Sequence, residues 1–219
     1  RLYAKADEVG ARIKGLHVHV GSGITDEATW SDIADFLASL ADERSDVGIL
    51  NVGGGLGVPE RPNADPLDLA QVADRLAQFK ADHPAYDLWI EPGRYLVAEA
   101  GVLLGRVTQT KAKGDRHFVG IDTGMNSLIR PALYGSYHEI VNLSRLDAPP
   151  ALTADVVGPI CETGDVLGHS RRLPKTEEGD VLLVAKTGAY GASMRMDYNL
   201  RPPAEEVVLR AAVGERGGV

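Results

Sequence analysis

The chain has 219 residues, a length that allows one or two domains with a sizeable hydrophobic core. Hydrophobic residues make up 44% and charged residues 25%, ordinary values for a globular protein that argue against extended disorder. The 23 basic and 31 acidic residues give a net charge of −8 without a basic run, which disfavours nucleic acid or an anionic membrane surface as a partner.

The first hundred residues alternate between helical and extended patterns. Helices are predicted over residues 2–8 and 25–44 and from Pro66 onward with Asp65 as N-cap, and strands over residues 13–20, 49–52 and 88–90. Strands separated by helices indicate parallel βα units. Because ligands bind at the carboxyl ends of such strands, the glycine-rich segments that follow them mark the expected site.

The pattern changes after residue 100. Short β-like runs follow, separated by Gly, Pro and Asp, at residues 102–110, 117–122, 152–157, 181–186 and 206–213. They predict an antiparallel β-sandwich or barrel, and so two domains, at residues 1–100 and 101–219. Two long stretches between these strands, residues 123–142 and 158–178, are predicted to be irregular binding or covering loops.

Cellular location is predicted from cysteine content and hydropathy. Cys161 is the one cysteine, which excludes an internal disulfide and fits a reducing compartment. No apolar run approaches the ~20 residues that span a bilayer, so a cytoplasmic protein is expected. The chain begins at Arg1 instead of a methionine, and we therefore expect it to be part of a longer protein.

His17 and His19 alternate with aliphatic residues, so a strand would place both imidazoles on one face. There a histidine can hydrogen-bond, stack on an aromatic cofactor or bind a metal, although the absence of a third spaced ligand makes the metal signal weak. An equally supported alternative is that the histidines lie in the core and make their hydrogen bonds within the protein. The glycines at residues 53–57 can direct backbone N–H groups at a phosphate, or simply form a tight turn.

Charged residues offer further candidates. Glu91 and Arg94 follow a strand, where they form either a local salt bridge or separate ligand contacts. A buried Glu91 opposite a ring nitrogen would keep that nitrogen protonated. Arg130 and Tyr134 can together bind a carboxylate, or be a surface arginine beside a packed tyrosine.

Two loop residues remain ambiguous from the sequence. Cys161 lies in a long loop, and a lone cysteine is more often buried filler than a nucleophile. Tyr190 lies between two glycines, where cavity packing is the alternative to ligand contact.

Six motifs occur in a fixed order along the chain. They are HVHVGSG at residues 17–23, GGG at 53–55, EPGR at 91–94, RPALYG at 130–135, GPICETGD at 158–165 and GAYG at 188–191. Together they resemble the fold-type III pyridoxal phosphate (PLP) decarboxylases, most closely the branch that acts on diaminopimelate. The resemblance implies the last βα units of a PLP-binding (β/α)8 barrel followed by an antiparallel β domain, which is an α/β plus all-β fold.

The resemblance also implies a role for each motif. His19 would stack on the pyridine ring and Glu91 would pair with its nitrogen. The expected cofactor contacts, mostly to the phosphate, are Ser22, Gly53, Gly54, Gly55, Arg94 and Tyr190. The expected substrate contacts are Arg94, Arg130 and Tyr134 for a distal carboxylate and Glu162 for a distal ammonium. Cys161 would assist protonation across a homodimer interface.

The activity implied is decarboxylation of meso-2,6-diaminopimelate to L-lysine and CO2. Alternatives are a decarboxylase of another diamino acid or carboxy-polyamine, and a non-catalytic PLP-binding relative. The family binds its cofactor through a lysine in a Tyr-Ala-x-Lys-Ala motif. The segment Tyr3-Ala4-Lys5-Ala6 does not match this motif, because it has no residue between Ala4 and Lys5. Lys5 is therefore predicted to be a solvated helix residue. The cofactor lysine is expected upstream, and this stretch alone is expected to be inactive.

Overall fold

The computed structural model describes residues 1–202 and 204–209, which form two sheets with flanking helices. The first sheet has three parallel strands with β2 in the centre. Its elements in chain order are α1 (Leu2–Glu8), β1 (Gly15–His17), α2 (Thr29–Ala41), β2 (Ile49–Gly54), α3 (Leu69–Asp82) and β3 (Asp87–Glu91). The predicted parallel βα units are confirmed.

One face of this sheet packs on α2 and α3. The buried residues of α2 lie at helical spacing, and its Trp30 is 1% exposed. The Trp30 Nε1–H donates to the carbonyl oxygen of Gly54 at 3.1 Å, which ties the helix to the end of β2. Val72 and Phe79 of α3 and Leu50 of β2 complete this core.

Both long helices begin later than predicted. Asp26 accepts hydrogen bonds from Ala28 and Thr29, so a turn precedes α2. The N-cap of α3 is Asp68, whose side chain accepts from two free helix amides. The prediction of Asp65 as the N-cap was wrong. Leu67 is buried against the core, and the helix begins only after Leu67.

The second sheet has six strands in the order β6-β9-β4-β5-β7-β8. Its elements in chain order are α4 (Gly93–Val97), β4 (Leu103–Lys113), β5 (Arg116–Ile121), α5 (Arg130–Tyr134), β6 (Ile140–Asn142), β7 (Leu152–Val157), β8 (Val166–Leu173) and β9 (Val181–Val184). Short 3-10 helices lie at Ala98–Ala100, Leu143–Arg145, Ala192–Met194 and Tyr198–Leu200. The end strands β6 and β8 contact each other, so the sheet curls into a nearly closed barrel around its own core. The α/β plus all-β fold is confirmed.

The β domain differs from the prediction in three respects. The pair β5 and β7 is parallel, whereas the other pairs are antiparallel. Strands β6 and β8 lie in stretches that were predicted to be irregular. In β8, Gly168 and the polar residues after it interrupt the alternation of apolar and polar residues that would predict a strand. A strand was predicted over residues 206–213. Residues 206–209 are not part of either sheet, and residues 210–213 lie outside the described part of the chain.

The two sheets meet at a small apolar cluster formed by Val58, Ala98 and Ala189. Close by, the Gly188 N–H donates to the Ala98 carbonyl oxygen at 3.1 Å. The division into domains at residues 100 and 101 stays a prediction. Across residues 1–202 and 204–209, no helix combines the length and apolar character needed to cross a membrane.

The Trp30 hydrogen bond gives a test of the first core. Replacing Trp30 with Phe is expected to lower the free energy of unfolding by ~1–3 kcal/mol, because the Gly54 carbonyl loses its indole donor and a smaller ring fills the space. Urea denaturation of the protein that carries this chain measures this. The matched control is Phe36→Leu on the same helix, because Phe36 is 57% exposed and its replacement is expected to change stability by less than ~0.5 kcal/mol. Equal losses in both variants would contradict the assignment.

Candidate active site

Two adjoining cavities open where the three parallel strands end. The smaller, of about 210 Å³, is lined by His19, Ser22, Gly55, Leu56, Glu91, Pro92, Gly93, Arg94, Tyr95 and Tyr190. The larger, of about 480 Å³, is lined by Ser22, Glu60, Arg94, Arg130, Tyr134, Ser136, Tyr190 and Met194. Ser22, Arg94 and Tyr190 line both cavities. The structure therefore brings together residues from four of the six motifs, and Gly55 from a fifth.

The glycine turn after β2 permits close backbone packing. A Cβ atom on Gly54 would overlap the carbonyl oxygen of Glu91, and one on Gly55 would overlap that of Gly21. Gly53 and Gly55 also have φ angles of 73° and 91°, in the left-handed region that favours glycine. Side chains at these positions would push the strand ends apart and enlarge the cavity.

Two amides of this turn are already paired within the protein. The Gly53 N–H donates to Asn51 Oδ1 at 3.0 Å, and the Gly54 N–H donates to His19 Nδ1 at 3.2 Å. A phosphate-binding role for Gly53 and Gly54 stays a prediction, while Gly55 lines the smaller cavity directly. In the neutral imidazole of His19, accepting at Nδ1 leaves the proton on Nε2.

His19 lies beyond the last residue of β1, so the strand predicted over residues 13–20 was wrong in extent. The hydrogen bond from Gly54 holds His19 in its place instead. His17 ends β1, and its Nε2 lies 3.4 Å from Glu91 Oε1. The same Glu91 oxygen accepts from Asn51 Nδ2 at 2.9 Å. The Glu91 carboxylate is thereby oriented from two neighbouring strands.

Three charged side chains meet in the wall of the larger cavity. The side chains of Arg94 and Arg130 are only 9% and 10% exposed, and Glu60 Oε1 lies 3.2 Å from Arg94 Nη1 and 3.8 Å from Arg130 Nη2. The Nε atoms of both arginines are buried and lack hydrogen-bond partners among the described residues. Burial, with the nearby Arg94 charge, lowers the pKa of Arg130. The cavity thus holds two positive charges and one negative charge.

His138 supports Arg130 from behind. Its ring is 1% exposed, and its Nδ1 lies 2.8 Å from the carbonyl oxygen of Ala185, which requires the proton on Nδ1. Nε2 then accepts from Arg130 Nη1 at 3.5 Å. Burial lowers the pKa of His138, so the neutral ring that this arrangement needs is the favoured form.

Two tyrosines complete the larger cavity. Tyr134 ends α5 and is 63% exposed, with its side chain in the cavity wall. Tyr190 has a φ angle of 66°, which costs a non-glycine residue ~1–3 kcal/mol and is typical of functional positions. The guanidinium of Arg130 lies 5.9 Å from the centre of the Tyr190 ring.

Cys161 and Glu162 lie outside both cavities. Both are exposed; Asn199 Nδ2 lies 3.6 Å from the Cys161 sulfur, and the Tyr198 hydroxyl donates to Glu162. Their loop is anchored by Asp165, which accepts from the backbone of Met125 and Ile160 at 2.6 Å each and whose pKa is raised by burial. The structure does not bring these two residues to the cavities of their own chain.

Sequence reasoning missed three residues of the site. Asn51 and Glu60 lie on either side of the glycine turn, at the strand end where ligands were expected, and that position was the available signal. His138 lies four residues after Tyr134, but nothing in that spacing indicated its contact with Arg130. Each was found only through contacts with residues distant in sequence.

Comparison with known proteins is consistent with this geometry. Residues 24–188 match the family model described as pyridoxal-dependent decarboxylase, C-terminal sheet domain. The chain is 38% identical to diaminopimelate decarboxylase of Methanothermobacter thermautotrophicus, over 95% of this chain and 51% of that protein. The chain spans about half the length of the curated relatives that it matches.

Solved structures give the same result. The crystal structure of diaminopimelate decarboxylase from M. jannaschii in complex with L-lysine matches with a TM-score of 0.81 and 34% identity, covering 92% of this chain and 49% of that one. SrLDC in complex with PLP and cadaverine matches with a TM-score of 0.81 and 26% identity, covering 93% of this chain and 54% of that one. The chain belongs to the pyridoxal-dependent decarboxylase family, and the resemblance carried by the six motifs is confirmed.

The lowered pKa of His138 predicts a pH dependence of stability. The unfolded chain has a histidine pKa of ~6.5, so below that pH it takes up a proton that the folded state resists. Stability from this group is therefore complete above pH ~6.5 and is lost as the pH falls through the lower folded pKa. Replacing His138 with Gln is expected to reduce the drop in melting temperature between pH 8 and pH 5.5, measured by differential scanning calorimetry.

The control for this experiment is His117→Gln, because His117 is exposed. It is expected to leave the drop in melting temperature unchanged. A His138→Gln variant that loses as many degrees as the wild type would show that the neutral form of His138 does not stabilise the fold.

Proposed function

We propose that the protein that carries this chain decarboxylates meso-2,6-diaminopimelate to L-lysine and CO2, with pyridoxal 5'-phosphate as cofactor. The observation that carries the proposal is the pair of adjoining cavities with Ser22, Arg94 and Tyr190 in both walls. One cavity has groups suited to a phosphorylated pyridine, and the other has two buried arginines suited to a distant carboxylate. The names of the relatives supply the same substrate.

The side chains around the smaller cavity fit the cofactor chemically. Ser22, Tyr190 and Arg94 offer two hydroxyls and a guanidinium for a phosphate. The Arg94 Nε has no hydrogen-bond partner among the described residues, which leaves a buried donor to satisfy. Gly55 lines this cavity without a side chain, which would let a ring lie close to the backbone. When bound there, PLP supplies an electron sink for the electron pair of the bond to the departing carboxylate.

Glu91 and His19 would hold the pyridine ring of the cofactor and keep its nitrogen protonated. Glu91, oriented by Asn51 and His17, would keep a ring nitrogen protonated because its negative charge stabilises the cation. His19 would stack on the ring, with its orientation fixed by the amide of Gly54.

The larger cavity would select the substrate by its far end. Diaminopimelate carries a second amino-acid group, so a specific site needs cations for the carboxylate and an anion for the ammonium. Arg94, Arg130 and Tyr134, which line the larger cavity, would bind the carboxylate. Glu162, which lies outside the cavities of its own chain, would bind the ammonium in the site of a second subunit. Both guanidinium groups are largely buried and share a single carboxylate, Glu60, so a ligand carboxylate would give them a second anionic partner.

We further propose a cytoplasmic homodimer in which Cys161 of one subunit assists protonation in the other. Cys161 and Glu162 are exposed and outside the cavities of their own chain, which suits residues that act on a second copy. A free exposed thiol also fits a reducing compartment.

Lysine release tests the activity. Wild-type protein is expected to form L-lysine and CO2 from meso-diaminopimelate, and Arg130→Ala is expected to lower kcat/KM by ~100-fold, because charge-assisted hydrogen bonds contribute ~1.5–3 kcal/mol each. Glu162→Gln is expected to act in the same direction. The control Arg172→Ala changes an exposed arginine outside both cavities. Turnover of ornithine or a carboxy-polyamine in place of diaminopimelate would contradict the substrate, and no CO2 release from any of them would indicate a non-catalytic relative.

Subunit mixing tests the shared site. If each site takes Cys161 from the partner, Arg130→Ala and Cys161→Ala subunits are each impaired in every site of their own dimers. Mixed dimers then contain one site with both residues intact, so mixing the two purified variants is expected to restore part of the activity. Equal activity before and after exchange, with exchange verified by native mass spectrometry, would place Cys161 in its own subunit's site or outside the mechanism.

A further inference from the structure

A third cavity, of about 580 Å³, lies beside the end strands β6 and β8 of the second sheet. Three arginines line it, Arg61, Arg171 and Arg172. Among the described residues, Glu139 is the one acidic residue in its lining, and none of the three arginines has a carboxylate oxygen within 4.0 Å. The cavity therefore has an excess of positive charge in a chain whose net charge is −8.

Two of these arginines are held against one aromatic ring. The guanidinium carbon of Arg61 lies 4.4 Å from the centre of the Tyr137 ring, and that of Arg171 lies 3.7 Å from it. Each contact is a cation–π interaction, which orients the guanidinium group. The two positive charges are thereby held close together, where they repel each other. An anion that accepts hydrogen bonds from both would offset this repulsion.

Arg171 also has a buried donor without an acceptor. Its Nε has no hydrogen-bond partner among the described residues, although leaving such a group unpaired is costly. A Cβ atom on Gly168 would overlap this Nε, so the glycine leaves the room that the guanidinium occupies. Burial lowers the pKa of Arg171, and the nearby charge of Arg61 acts in the same direction. A bound anion would supply both the acceptor and the counter-charge.

We propose that the cavity around Arg61, Tyr137 and Arg171 binds a small multivalent oxyanion, a molecule with two or more phosphate or carboxylate groups. Guanidinium groups donate paired, parallel N–H bonds to such groups. The volume of about 580 Å³ lies in the usual range for small-molecule sites and leaves room for more than one anionic group. This site goes beyond the proposed decarboxylation and does not depend on it.

The cavity adjoins the candidate active site without sharing its charged groups. Ser136 lines both this cavity and the larger active-site cavity. Arg61 directly follows Glu60, and Tyr137 directly precedes His138. A test must therefore distinguish an anion bound here from one bound to the arginines of the active site.

An acidic side chain from outside this chain is the competing occupant. The chain spans about half the length of its curated relatives, so the rest of the protein could supply such a side chain. One carboxylate would neutralise only one of three arginines, which favours a ligand with several negative charges. A built-in carboxylate would also block added anions, and this difference can be measured.

Calorimetric titration with pyrophosphate and with citrate tests the site. The protein that carries this chain is first loaded with pyridoxal phosphate and dialysed, so that the cofactor occupies its own phosphate contacts. Wild-type protein is expected to bind at least one probe with a Kd below ~1 mM. Arg61→Gln changes an exposed residue and is expected to weaken binding by ~10-fold, the size of one charge-assisted hydrogen bond. Arg171→Lys keeps the charge but loses the paired donors, and it is expected to weaken binding as well.

The matched control is Arg75→Gln, at an exposed position of α3, which is expected to leave the Kd unchanged. Weaker binding in Arg61→Gln and Arg171→Lys but not in the control supports the proposal, and the probe that binds more tightly shows whether phosphate or carboxylate is preferred. Equal losses in Arg61→Gln and Arg75→Gln would reveal general charge attraction and overturn it.

Two further outcomes also overturn the proposal. Absence of binding of both probes to the wild type would show that the cavity is filled by another part of the protein. Weaker binding in Arg130→Ala with unchanged binding in Arg61→Gln would place the anion in the active site.

Discussion

Close approach of backbone at the ends of three strands is the constraint on which the candidate site depends. Gly54 lies against the carbonyl of Glu91, and Gly55 lies against that of Gly21, at distances that no side chain would permit. This packing brings residues at or just beyond the three strand ends, among them His19, Gly55 and Glu91, to one cavity. The packing also lets the Gly54 N–H donate to Nδ1 of His19. The glycine turn therefore orients the His19 imidazole at the cavity.

Charge is the second constraint. Two arginine side chains with about a tenth of their surface exposed require compensation, and Glu60 provides it for both through one oxygen. His138 adds an acceptor for Arg130 without adding a charge, because burial keeps its ring neutral. The cavity therefore keeps a net positive charge within a chain of net charge −8. Such a local field attracts an anionic group that the rest of the surface would repel.

The sequence predicted those parts of the structure that depend on local patterns. Helical spacing located α2, and the glycines and charges after β2 and β3 located the site, because residue type and position in the strand suffice for both. The parallel pairing of β5 and β7 joins positions 37 residues apart, such as His117 and Ala154, and leaves no local signature. For the same reason Glu60 was missed: an acid after a turn is ordinary until two arginines from elsewhere in the chain are placed beside it.

Neither sheet forms this site alone. Ser22 and Arg94 come from segments that follow the parallel strands. Arg130 lies between β5 and β6 of the second sheet, and Tyr190 follows β9 of that sheet. Their relative position depends on the contact between Gly101 and Gly188, where a Cβ on either residue would overlap the other's backbone, and on the hydrogen bond from Thr187 N–H to the Gly101 carbonyl oxygen. Tyr190 follows this contact directly, in a left-handed conformation that local sequence does not favour. The geometry of the larger cavity is therefore fixed at the junction of the two sheets, and residues there control the ligand site without touching a ligand.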